Sequence, residues 1–344
     1  MTASRRLYTE GMRSGLFVAS LALALAATPL MAGAQTFTAA QSGTPFTISV
    51  RPQYPTPYGA ATISLLSDSL NLANASMVVS VGGKEIYRDA VQPVGVPLGK
   101  AGSVANVKVT ITSGGVPYVQ SVFIQPQDVV LVAEPVSSTH PLYPGAPLIP
   151  LEGSVRVVGV ANLKDAGGRA IDPAALSYSW TVDNAQIASA SGIGKRAVLV
   201  ASPLQYRERS VSVAVRSQDG GLVGGSSLSL AAREPLVRIY RSDPLLGVRF
   251  DRALSGEHAL SGTETTLYAV PFSLPTTNGA PLVRWFLNGE AVQTGSSVTL
   301  RPSGTGQGSA MLSLTASSGN STPASANLSL SFGAAPSSFN LFGL

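Results

Sequence analysis

Catalysis and metal binding draw on a small set of side chains, and this sequence supplies them sparingly. His140 and His258 are its only histidines, one in a Pro-rich stretch and one beside Gly256-Glu257, so neither a metal triad nor a Ser/His/Asp arrangement is indicated. No G-x-S-x-G nucleophile elbow occurs. Ser191-Gly192-Ile193-Gly194-Lys195 has part of a phosphate-loop pattern, but Ser189 stands at the first glycine position, Arg196 follows the lysine, and strand patterns flank it; it is read as a turn. Asp165, Asp172, Asp183 and Asp219 fall in turns without the D-x-D-x-D spacing that converges oxygens on calcium, and are read as solvated turn carboxylates. Leu274-Pro275-Thr276-Thr277-Asn278 resembles a sortase signal, yet it lies mid-chain. Asn74-Ala75-Ser76, Asn320-Ser321-Thr322 and Asn327-Leu328-Ser329 match glycosylation sequons. The reading is of a protein that is not an enzyme, with no catalytic, cofactor-binding or metal-binding residue assigned.

The elements behind these residues repeat. Val79-Ser80-Val81-Gly82-Gly83, Trp180-Thr181-Val182-Asp183-Asn184 and Trp285-Phe286-Leu287-Asn288-Gly289 each run a strand pattern into a tight polar turn, about one hundred residues apart. A second register has the same spacing: Val107–Ile111 leads into Ser113-Gly114-Gly115, Val211–Val215 into Ser217-Gln218-Asp219-Gly220, and Met311–Thr315 into Ser317-Ser318-Gly319. Alternating apolar and polar residues between Gly, Pro, Asn and Asp clusters recur throughout, as in Thr47–Val50, Ser154–Val158 and Thr266–Val270. The fold expected is all-β, three tandem Ig-like/PKD-like β-sandwiches, with Asp172–Leu176 as one short helical turn. Trp180 and Trp285 are read as structural core residues; Val79 at the matching position marks the first copy as the divergent one. Val129–Ala133 before His140–Gly145, and Leu236–Tyr240 before Asp243–Gly247, read as the first strands of the second and third copies.

Composition adds further bounds. Charged residues are 12% of the chain, and cysteine is absent, so no disulfide staples a domain and no lipobox cysteine can carry a lipid. Arg5, Arg6 and Arg13 precede an apolar run from Leu16 to Met31 that ends in Ala32-Gly33-Ala34, the three-part pattern of a secretory signal. The formal charge of +5 shrinks once the leader is set aside, and the arginines are scattered rather than striped, which excludes a nucleic-acid footprint. The expected division is a signal peptide at 1–34, Ig-like domains at 35–127, 128–232 and 233–333, and an apolar C-terminal tail at 334–344. The tail carries Phe339, Leu341, Phe342 and Leu344, the candidate partner contacts. The linkers, Pro126-Gln127-Asp128 and Arg233-Glu234-Pro235, are short and free of a Gly/Ser tract, so the array should be semi-rigid.

Pro52-Gln53-Tyr54-Pro55-Thr56-Pro57, Ser67-Asp68-Ser69-Leu70, Gly83-Lys84, Tyr178-Ser179-Trp180, Ser191–Lys195, Asp243–Gly247 and Ala253-Leu254-Ser255-Gly256 together give the mature chain its likeness. It resembles a family of exported three-domain Ig-like or PKD-like proteins of candidate-phylum bacteria (Patescibacteria). The resemblance implies no assigned activity, and for some members it implies a link with the envelope or type IV pilus systems. The chain departs from that pattern at Val79, where the family has a tryptophan, and it lacks the Trp-Asp-Phe-Gly-Asp-Gly run of PKD repeats. The function expected is an exported spacer or interaction module of the cell surface or envelope, with a protein or envelope component as partner, no cofactor, and membrane contact only through the signal peptide. The alternative is a carbohydrate-binding adhesin, which requires an exposed aromatic platform; Tyr54, Tyr58, Tyr118 and Tyr143 are its candidates.

Overall fold

The computed structural model describes residues 45–260, 262–303 and 307–333. The signal-peptide and tail readings, including Phe339, Leu341, Phe342 and Leu344, lie outside the described residues. Within them the chain is built from strands, with only three single 3-10 turns. One of these is Pro173–Ala175, the short turn expected there, capped by the Asp172 side chain, which accepts from Ala174 N.

The first sandwich comprises β1 (Thr47–Arg51), β2 (Ala60–Leu66), β3 (Ser76–Val81), β4 (Lys84–Ala90), β5 (Val94–Pro97), β6 (Ala105–Ser113) and β7 (Val116–Ile124). They form sheets of order β1-β2-β5 and β4-β3-β6-β7. The second runs through β8 (Asp128–Pro135), β9 (Ser154–Asn162), β10 (Ser177–Val182), β11 (Ala185–Gln186), β12 (Gly192–Ile193), β13 (Ala197–Ala201), β14 (Glu208–Arg216) and β15 (Val223–Ala231). Its sheets, β13-β9-β8 and β11-β10-β14-β15, repeat the first pair, with β12 added on β10. In both, the chain crosses between sheets in the Greek-key manner of Ig-like sandwiches.

The third sandwich departs most from this plan. It comprises β16 (Leu236–Asp243), β17 (Gly247–Leu254), β18 (Gly256–Ala259), β19 (Thr265–Phe272), β20 (Leu282–Leu287), β21 (Glu290–Thr294), β22 (Ser297–Leu300), β23 (Gly308–Ser317) and β24 (Ala324–Phe332). Its sheets are β17-β16-β19-β22 and β18-β24-β23-β20-β21, with β18 parallel to β24. The extra strands arise because Asp243 accepts hydrogen bonds at Oδ1 from the amides of Leu245 (2.9 Å) and Leu246 (3.0 Å), folding the chain back as a hairpin. The first copy differs in its core, where Val79 stands in place of a tryptophan, and the third differs in its strand order through these two added strands.

The two sequence registers occupy equivalent strands. Val79, Trp180 and Trp285 pair with Val109, Val213 and Leu314 across the central strands of their sheets, and each is fully buried. Both indole N–H groups are satisfied, Trp180 Nε1 donating to Lys195 O and Trp285 Nε1 to Gly295 O, both at 2.9 Å. Ser191–Lys195 is therefore more than a turn. Gly192–Ile193 forms β12, Ser191 Oγ accepts from Trp180 N, and the run wraps the indole. In the first core Val79 needs no such acceptor, and Phe46, Ile63, Met77 and Ile111 supply the bulk.

The turns after these strands share one geometry. Gly82-Gly83, Asp183-Asn184 and Asn288-Gly289 all hold both residues at positive φ, the mirror-image turn whose twist matches a β-hairpin. The first residue of each donates its amide to the strand start opposite: Gly82 to Asn106 O, Asp183 to Ser210 O and Asn288 to Met311 O. Asp183 and Asn288 reciprocate, accepting at Oδ1 from Ser210 N (3.0 Å) and Met311 N (2.8 Å). Asp183 also pairs with Arg209 at 2.9 Å.

Each tryptophan reports its own sandwich. Trp180→Ala should cost about 3–5 kcal/mol in the second and Trp285→Ala a similar amount in the third. Denaturant unfolding followed by far-ultraviolet circular dichroism, which still sees the altered sandwich once its indole is gone, checks this; a loss below about 1 kcal/mol would contradict the packing.

Candidate functional site

The short linkers between sandwiches sit inside built joints. At the first, Gln127 is buried, and its side-chain amide exchanges hydrogen bonds with the backbone of Lys164: Gln127 Nε2 donates to Lys164 O at 2.9 Å and Lys164 N to Gln127 Oε1 at 2.8 Å. Gly102 donates to Pro126 O and accepts from Gln125 Nε2, both at 2.9 Å. A Cβ on Gly102 would stand 2.5 Å from Asp165 O, and φ there is +81°, so this approach demands glycine. Tyr54 lies against Gly225 of β15 in the same way, and burial raises its pKa despite the opposing charge of Arg216.

The second joint is larger. The connection between β8 and β9 lies along the third sandwich as a strap. Ser138 N donates to Leu274 O at 2.7 Å, Leu274 N to Ser138 Oγ at 3.2 Å, and Thr276 N to Val136 O at 3.2 Å, around a bridge between Ser137 and Pro275. The Ser273 hydroxyl reaches Arg233 O (2.8 Å) and Ile149 O (3.1 Å), and Arg233 N donates to Ile149 O at 2.8 Å. Ser273 is only 1% exposed and holds φ at +61°, a conformation that costs a non-glycine residue of order 1 kcal/mol or more and persists where surrounding contacts enforce it.

Beyond these bonds the strap inserts rings. His140 meets Phe250 (4.9 Å between centroids) and Tyr268 (5.4 Å), Tyr143 meets Phe250 (5.7 Å) and Phe272 (4.9 Å), and Tyr240 closes on Phe250 (5.3 Å). Leu148, Leu236 and Val270 complete an apolar cluster separate from the three sandwich cores. His140 Nδ1 accepts from Leu142 N at 3.1 Å, which leaves its proton on Nε2. Burial lowers its pKa.

The residues singled out in the sequence separate accordingly. Trp180 and Trp285 are sealed in cores and offer no stacking face. The four candidate tyrosines do not form a platform: Tyr54 is wedged at the first joint, Tyr118 packs on the first core, Tyr143 belongs to the second joint, and Tyr58 stands 80% exposed. The turn aspartates are engaged rather than merely solvated. Asp219 accepts from Ser217 Oγ and Gly221 N, and Asp165 from Arg169 N. Among the described residues no group of three or more acidic or histidine side chains is placed to hold a metal ion. The sequon asparagines are scattered, Asn74 ending a 3-10 turn, Asn320 in the β23–β24 turn and Asn327 within β24. Leu274–Asn278 is a joint element, with Leu274 fully buried. His140–Gly145 and Asp243–Gly247, expected as matching boundary elements, do different work: the first is strap, the second a hairpin turn. Sequence reasoning missed the strap; its signal was a Pro- and aromatic-bearing connection unusually long for this chain.

No family model matches the chain, and no curated protein matches it in sequence. Among solved structures it is similar to three N-terminal domains of the bacteriophage RB49 Highly Immunogenic Outer Capsid protein, at 13% identity over 85% of this chain and 100% of that one, with a TM-score of 0.23. It is similar also to the central fibronectin-III array of RIM-binding protein (9% identity, 83% and 94% coverage, TM-score 0.26). The fibronectin(III)-like modules of Clostridium thermocellum CbhA match at 12% identity over 55% of this chain and 95% of theirs, with a TM-score of 0.23. Likenesses this low carry no argument about activity; strand order and the separate cores define the tandem sandwiches.

The partly buried imidazole makes the second joint acid-sensitive. An unfolded histidine titrates near 6.5, whereas His140 in the joint, and His258 in β18 with the same sign, resist protonation. The unfolded chain therefore takes up more protons, and the stability present above pH 6.5 falls as pH drops through the depressed folded values. Unfolding of the third sandwich, read from Trp285 fluorescence, should have a lower midpoint at about pH 5 than at about pH 7.5. His140→Phe, which keeps the ring contacts, should shrink that difference; an unchanged difference would contradict the assignment.

Proposed function

We propose that this chain is an exported, non-enzymatic spacer and interaction module of the cell surface or envelope. The tandem Ig-like sandwiches support the coarser part of the reading, since such arrays present loops on rigid scaffolds. The observation that carries it is the strap. Serine hydroxyls, backbone amides and a ring cluster fix the second sandwich to the third, where an ordinary flexible linker would leave the two free to reorient. A chain that builds such joints holds its contact surfaces at a set separation and angle. The leader pattern at residues 1–34 and the resemblance to exported envelope-linked proteins support the location, and the apolar side chains of 334–344 are the proposed point of attachment.

The glycan-platform alternative loses its support with the dispersal of the tyrosines. Two measurements on cells expressing the full chain test the proposal: N-terminal sequencing of the product, and fractionation with and without residues 337–344. Cleavage after Ala34 and retention in the envelope, lost on removal of the tail, are expected. An uncleaved cytoplasmic product, or equal retention of the shortened chain, would overturn the export or the attachment reading respectively.

A further inference from the structure

The insertion in the third sandwich makes a charged groove that neither the joints nor the cores use. β17 pairs with β16 through Tyr240–Ala253 and Ser242–Val248, so residues 249–252 stand opposite Arg241 alone. Such a bulge re-aims side chains, and bulges recur beside functional sites. Here Phe250 turns into the ring cluster at the joint, while Arg249, Asp251 and Arg252 face a cavity of about 370 Å³ shared with Arg241, Glu257 and His258. That volume falls in the range of small-ligand pockets, about 300–1,000 Å³.

Three arginines, Arg241, Arg249 and Arg252, share the groove with three carboxylates, Asp243, Asp251 and Glu257, but not as three ion pairs. Arg249 engages Asp251 at 3.2 Å, and Asp243 commits Oδ1 to the two turn amides. Arg241 and Arg252 make no ion pair and no side-chain hydrogen bond among the described residues. Two free guanidiniums beside an imidazole form a donor set for an oxyanion, since guanidinium matches phosphate and carboxylate geometry with paired N–H donors. The rest of the lining, the Glu257 carboxylate and the second oxygen of Asp251, can accept from hydroxyls.

We propose that this groove binds an anionic sugar, its phosphate or carboxylate held by Arg241, Arg252 and His258 and its hydroxyls by Glu257 and Asp251. The site is independent of whether the array acts as a spacer. Binding is linked to protonation of His258. Burial, and then the fields of Arg241 and Arg252, hold its pKa down; Glu257 on its own strand, Asp243 on β16, and Asp251 and Arg249 on β17 are the other charges at the cavity, and its partner strand β24 brings none opposite it, pairing Leu328, Ser329, Leu330 and Ser331 with β18. An oxyanion between the guanidiniums neutralises their field and accepts from the imidazolium, so affinity rises toward acid pH.

The chain has only two histidines, so both imidazole signals can be followed by proton NMR in the full protein. Titration with glucose 6-phosphate and with glucuronate, against glucose and inorganic phosphate, should raise the His258 pKa and leave His140 unmoved. At least one anionic sugar should bind more tightly than phosphate alone, and glucose should not bind. Arg241→Gln with Arg252→Gln should weaken binding about tenfold or more, given the strength of charge-assisted bonds, whereas Arg238→Gln, on β16 outside the cavity, should leave it unchanged. No shift of His258 with either anionic sugar, an equal response to phosphate alone, or undiminished binding in the double variant would each overturn the assignment.

Discussion

Where a connection packs on a neighbour, the peptide groups it covers need partners, and the segment between β8 and β9, buried at Ser138 and Pro150, finds several of them in a different sandwich. Val136 O, Ser138 N and Ser138 Oγ are satisfied by Thr276 and Leu274, and Ile149 O by Arg233 N and the Ser273 hydroxyl. That requirement ties together the rest of the second joint. Ser273 accepts a left-handed backbone in order to place its hydroxyl between two carbonyls, and the rings of His140 and Tyr143 pack against Phe250 and Phe272 of the third sandwich. Hydrogen bonds of this kind contribute modestly when made, but cost more when a buried partner is left bare, so the joint resists partial opening.

The three sandwiches show one plan under different local constraints. A tryptophan at the centre of the core requires an acceptor for its N–H. Lys195 O provides one in the second copy and Gly295 O in the third, while Val79 removes the need in the first. The turn that follows is mirror-image in every copy, but only Asp183 and Asn288 can return a side-chain bond to the opposite strand; Gly82-Gly83 meets the backbone requirement and nothing more. Substitution at one position thus propagates to the residues that serve it.

This explains what could be read without coordinates. Strand and turn positions such as Val79–Gly83 and Trp285–Gly289 were legible because alternation and positive-φ turn residues are local signals. The strap was not. Ser138 and Leu274 are 136 residues apart, and neither type announces a partner. The groove was hidden for a related reason: a bulge is a count between two strands, so Arg249, Asp251 and Arg252 acquire their common direction only when β16 is set beside them. The Asp243–Gly247 run was visible as a repeated boundary element, but its role in adding a strand depends on the edge of β16 being open to receive one.

The strap makes the second and third sandwiches one mechanical unit. Because the chain has no native cysteine, spin labels can be placed singly at exposed positions on the two sandwiches, through Leu199→Cys on β13 and Val292→Cys on β21. The electron-spin distance distribution between them is the most direct measurement. One narrow distribution is the result expected of a locked joint; a broad distribution spanning many interdomain angles would contradict it.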